Sequence, residues 1–78
     1  MASVEKIIAK MKNQPNGVRL EEADKVLMAC GYWSARQEGS HRHYRNGDGK
    51  IITIVQKNPL KKYQVTMILG IVKSSKLM

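Results

Sequence analysis

Only one of the 78 residues, Cys30, is a cysteine, and none is a phenylalanine. A lone thiol excludes an internal disulfide and gives no sign of an oxidising compartment. Aromatic side chains are limited to Tyr32, Trp33, Tyr44 and Tyr63, so aliphatic residues and methionines have to fill the interior. Acidic residues are scarce too, six against fourteen lysines and arginines, which leaves a net charge of +8. No apolar run approaches the ~18 residues of a membrane span, and the first residues carry no secretory pattern. The expectation is a soluble cytoplasmic protein with no membrane contact. At this length a single lean domain is expected, burying about 60–65% of the surface its unfolded chain exposes.

The excess charge is lopsided. Residues 1–32 hold five basic and four acidic side chains, a balance of +1; residues 33–78 hold nine and two, a balance of +7. Such asymmetry points to a polyanion partner, because lysines and arginines on phosphates release condensed counterions. A basic surface that serves only solubility is the alternative.

Hydrophobic spacing predicts two helices in the near-neutral part. Val4, Ile7, Ile8 and Met11 recur at i, i+3, i+4 and i+7, the stripe of an amphipathic helix. "NQPNG" breaks it at Pro15 and Gly17. A second stripe joins Leu20, Ala23, Leu27 and Cys30, with Glu21, Glu22 and Asp24 near its positive end and Gly31 as a C-terminal stop. After Gly31 the pattern shortens to "YWSARQE", "HRHYR" and "KIITIVQ", separated by "GS" and "NGDG". Both Asn46-Gly47 and Asp48-Gly49 suit hairpin turns, so a three-stranded antiparallel meander is predicted. A last helix is predicted from "NPLKKY", capped by Asn58 with Pro59 in its first turn. Val65, Ile68, Leu69 and Val72 form its stripe, Gly70 weakens it, and residues 74–78 read as a loose tail. The fold class is α+β in the order α-α-β-β-β-α, with helices covering one sheet face.

The segment "GSHRHYRNGDGK" (39–50) holds most of the chemistry. On a strand, His41, His43 and Arg45 share one face and Arg42 and Tyr44 the other. The first face is too polar for a core and should be the open one. Two histidines fall short of a zinc ligand set, and Cys30 belongs to a buried stripe, so no metal or other cofactor is expected. Ser40 has no base-and-orienter pair for nucleophilic catalysis. Metal-free acid–base chemistry on RNA fits better: one group takes the 2′-hydroxyl proton, another protonates the leaving 5′ oxygen, and nearby cations balance the phosphorane charge. His41 acting with a cation or water ranks ahead of a division of labour between His41 and His43. Two exposed histidines without any task are the alternative. A further basic group, Lys57, Lys61 and Lys62, brackets the start of the last helix, where a bound anion would offset unfavourable cation–dipole contacts, and Arg36 could join the same surface.

These segments together resemble a known family. "ADKVLMACGY", "RQEGSHRHYRNGDGKIITI" and "NPLKKYQVTMIL" resemble the HicA toxins of toxin–antitoxin systems over about residues 18–72, most specifically in Arg36-Gln37 followed by Gly39-Ser40-His41 and a hairpin. The resemblance implies a fold like that of double-stranded-RNA-binding domains, metal-independent cleavage of mRNA, and neutralisation by a HicB-type antitoxin. It also implies that His41 is the essential residue. Arg42, His43, Arg45 and Ser40 would be helpers, and Arg36, Lys57, Lys61 and Lys62 would hold the RNA. Two positions depart from the family pattern: Arg42 separates the histidines, and Thr53-Ile54-Val55-Gln56-Lys57 leads to no further histidine. The corresponding rival is a module that binds double-stranded RNA without cleaving it, or a HicA relative that has lost cleavage. Another is a basic face that only docks an acidic protein. The expected division is 1–17 as helix and linker, 18–73 as the HicA-type domain, and 74–78 as tail.

Overall fold

A computed structural model describes residues 3–57 and 59–75. The elements follow the predicted order: α1 (Val4–Asn13), a 3₁₀ turn at Pro15–Gly17, α2 (Leu20–Ala29), β1 (Tyr32–Glu38), β2 (His41–Asn46), β3 (Ile51–Val55) and α3 (Lys62–Ser75). The three strands form one antiparallel sheet in the order β1-β2-β3. This is an α+β fold with an open sheet.

Each helix forms where its apolar stripe finds a partner. Ile7, Ile8 and Met11 of α1, Ala23, Val26 and Leu27 of α2, and Val65, Ile68 and Val72 of α3 are buried in one cluster with Tyr44 and Ile54 of the sheet. The segment before residue 18 therefore shares the core of the rest. Lys10 of α1 and Glu22 of α2 add an ion pair of 2.8 Å. Burial alone would raise the Glu22 carboxyl, but Lys10 and the Arg19 amide, which donates to Glu22 Oε1 at 3.0 Å, hold it below the ordinary carboxylate range.

Four local expectations change. The stripe of α2 stops at Ala29, so Cys30 is a half-buried cap residue ahead of Gly31, which takes φ +89°. Only Gly49 of the two hairpin dipeptides adopts the left-handed region (φ +82°); the Asn46 side chain instead accepts from the Asp48 and Lys50 amides at 3.0 and 2.9 Å. The helix α3 begins at Lys62, leaving Pro59 outside it, because Leu60 is buried and its amide donates to the Val18 carbonyl at 2.8 Å. Ser74 and Ser75, expected in the tail, are helical. Asn58 and residues 76–78 lie outside the described residues.

One irregularity in β1 decides what faces outward. The register with β2 slips between Ser34 and Arg36, leaving Ala35 as a bulge. Strict alternation from the buried Tyr32 would turn Arg36 and Glu38 toward the helices. The extra residue reverses that, so Arg36 pairs with His43 and Glu38 with His41 on the open face.

Candidate active site

The open face is a grid of three rows across β1, β2 and β3. The rows are Glu38–His41–Val55, Arg36–His43–Thr53 and Trp33–Arg45–Ile51, read from the strand pairing. Burial supports the assignment: Tyr44 and Ile54 on the opposite face are fully buried, whereas His41 and Arg45 are exposed.

His41 follows directly on the two-residue turn Gly39-Ser40, which Gly39 makes possible at φ +59°. The Gln56 amide donates to the Ser40 carbonyl at 2.6 Å and ties the turn to the end of β3. Ser40 thus shapes the backbone that presents His41. His41 is exposed, and among the described residues its ring makes no side-chain hydrogen bond or ion pair.

His43 is held quite differently. Its Nδ1 is 2.8 Å from Thr53 Oγ1 and its Nε2 is 3.3 Å from Glu38 Oε1. The Nδ1–Thr53 contact is a hydrogen bond whose donor depends on the tautomer, while Nε2 sits at ion-pairing distance from the carboxylate. Arg36 Nη2 lies 3.4 Å from the other Glu38 oxygen, so the carboxylate is shared between a histidine and an arginine. The chain Arg36–Glu38–His43–Thr53 spans all three strands. The exposed His41 ring, one row away, takes no part in it.

The remaining sequence candidates separate into two groups. Arg45 lies on the open face between Trp33 and Ile51. Arg42 lies on the helix side, 3.6 Å from Asp24 Oδ1, which also accepts from the Tyr44 hydroxyl at 2.7 Å. It braces α2 against the sheet and does not join the histidines. Lys57, Lys61 and Lys62 are exposed around the junction of β3 and α3. Gln64 fixes that junction: its Oε1 accepts from the Val55 amide at 2.7 Å, and its Nε2 donates to the Val55 carbonyl at 3.4 Å. Because Val55 pairs with His41, these lysines gather at the His41 end of the sheet. Sequence reading passed over Gln64, Glu38 and Thr53. The signal for Gln64 was a polar residue four before Ile68 and eight before Val72, in line with the apolar stripe.

A larger depression at the opposite end, between α3 and the β2–β3 hairpin, is lined by Cys30, Tyr32, Lys50, Ile52, Met67 and Gly70 among others, and contains no imidazole. Among the described residues no group of three or more histidines, cysteines or carboxylates is placed to hold a metal. No helix there is long and apolar enough to cross a membrane.

With an exposed histidine after a Gly-Ser turn on a cationic sheet, the family comparison completes the identification. The family model described as the HicA toxin of bacterial toxin–antitoxin systems matches residues 21–74, more than half of the chain. The chain belongs to the HicA toxin family. No curated protein and no solved structure matches it. Membership makes it the toxin half of a toxin–antitoxin pair, with an antitoxin as its partner. The HicA match includes every row of the open face and the whole of β1 to β3; α1 lies outside it.

Proposed function

We propose that this HicA toxin is a metal-independent ribonuclease that cleaves mRNA and inhibits translation, and that a HicB-type antitoxin neutralises it by covering the open sheet face. The supporting observation is an unengaged His41 ring on a face that also carries Arg36 and Arg45. His41 accepts the proton of a ribose 2′-hydroxyl as that oxygen bonds to phosphorus. The bond to the 5′ oxygen breaks, water protonates the departing oxygen, and the proton held by His41 neutralises the hydroxide left behind. Arg36, on the neighbouring row, balances charge on the non-bridging oxygens. Lys57, Lys61 and Lys62 hold the backbone beyond the cleaved bond. His43, bonded through Nδ1 to Thr53 and beside the Glu38 carboxylate, keeps the three strands in register beside His41.

The test is incubation of purified protein with single-stranded RNA in EDTA, beside His41→Ala. Cleavage by the wild type alone is expected. Binding by both proteins with cleavage by neither would favour the non-catalytic module, to which the missing histidine after Thr53-Ile54 also points.

A further inference from the structure

Trp33 and Ile51 are large apolar side chains left 47% and 62% exposed. Single exposed hydrophobes are ordinary, but these two share one cross-strand row with Arg45 between them. Both hold outward register positions, so neither is a core residue that has worked loose. The row is continuous with the rest of the open face: a shallow depression lined by Ala35, Arg36, Glu38, His43, Arg45 and Ile51 joins it to the His43 row. Along β2, Arg45 is about 7 Å from His43 and about 14 Å from His41.

An indole beside a guanidinium, next to a cationic track, matches the chemistry of single-stranded nucleic-acid binding. Bases stack on aromatic faces, arginine adds cation–π attraction, and the backbone follows the positive charge. A duplex keeps its bases stacked on one another and has no free face to offer. Charge complementarity also separates the occupants: a purely apolar partner would leave Arg45 unpaired at the centre of the row.

We infer that Trp33, flanked by Arg45 and Ile51, forms a stacking subsite for one unpaired nucleobase of the RNA whose phosphate lies over the His43 and His41 rows. The inference rests on the ribonuclease reading and deepens it: the substrate is single-stranded at a position about 14 Å along the sheet from the bond cleaved at His41. Alanine at position 33 removes the platform and leaves the phosphate-binding cations in place.

The experiment uses the full chain carrying His41→Ala, so that RNA is bound without turnover, and reads the emission of Trp33, the chain's sole tryptophan. A single-stranded oligoribonucleotide is expected to quench that emission saturably, whereas a blunt RNA duplex and inorganic polyphosphate bind without quenching it. Adding Trp33→Ala is expected to weaken single-strand binding roughly 5- to 150-fold, the range for losing one base stack, and to leave polyphosphate binding within about twofold. Saturable RNA binding with unchanged emission overturns the subsite, as does an equal loss of polyphosphate affinity. Quenching by poly-glutamate as strong as that by RNA also overturns it and assigns the row to an acidic protein. Cleavage by the wild-type chain, measured alongside, separates the two levels. Cleavage without a Trp33 response removes the subsite alone; quenching without cleavage removes the enzyme and keeps the subsite.

Discussion

Glu38 and His43 stand on neighbouring strands with Oε1 and Nε2 3.3 Å apart, while Thr53 occupies the other ring nitrogen. A ring bonded at Nδ1 and facing a carboxylate at Nε2 organises its surroundings and is less open to substrate than His41. Substituting His43→Ala is therefore expected to lower cleavage by less than about tenfold, whereas His41→Ala removes proton transfer worth about 10²–10⁴. Single-turnover rates of the two variants check this. Equal losses would make His43 a second proton-transfer group.

Gln64 is the one buried polar side chain among the described residues, and it closes both backbone groups of Val55. Replacing it with leucine adds apolar volume but strands the Val55 amide. A loss of about 1–3 kcal/mol is expected despite the more hydrophobic core, measured as the change in urea midpoint.

Gly70 lies in the middle of α3, exposed, and a Cβ built there meets nothing within 4 Å. No other element approaches closely there, so the glycine only loosens the helix. Gly70→Ala is expected to stabilise the protein by about 0.5–1 kcal/mol and to raise its Tm by several degrees. No gain would mean that the helix needs its flexibility here.

Tyr44 is fully buried, and burial followed by its hydrogen bond to Asp24 pushes the phenol from 10.0 up to about 12. The unfolded chain ionises this group first, so its contribution is complete below pH ~10 and is lost as pH rises toward ~12. Relative to Tyr44→Phe, the wild type is expected to lose about 2 kcal/mol of stability by pH ~11.5. Urea unfolding of both proteins at pH 9 and pH 11.5 gives the comparison. A constant difference would contradict the burial argument.

The element order and the identity of the open face were legible because they rest on periodicity. Stripes such as Val4-Ile7-Ile8-Met11 and the polarity of His41, His43 and Arg45 assign a side to each residue before any contact is known. The site's supporting contacts were not legible, for a reason specific to β1. Its only buried residue is Tyr32, so alternation gave no handle on the rest of the strand, and the Ala35 bulge that turns Arg36 and Glu38 outward has no local sequence mark. Arg42 illustrates the limit in the other direction. Its place on the helix side followed from alternation, but its engagement with Asp24 depends on how α2 crosses the sheet. The resemblance around Gly39-Ser40-His41 supplied what spacing could not, the toxin family itself.

The chemistry assigned to His41 is tested most directly by the ends it leaves. A short RNA cut in EDTA should yield a 5′-hydroxyl and a 2′,3′-cyclic phosphate, with no cut when the attacking 2′-hydroxyl is replaced by hydrogen. Products bearing a 5′-phosphate, cleavage of the 2′-deoxy substrate, or undiminished cleavage by His41→Ala would contradict it.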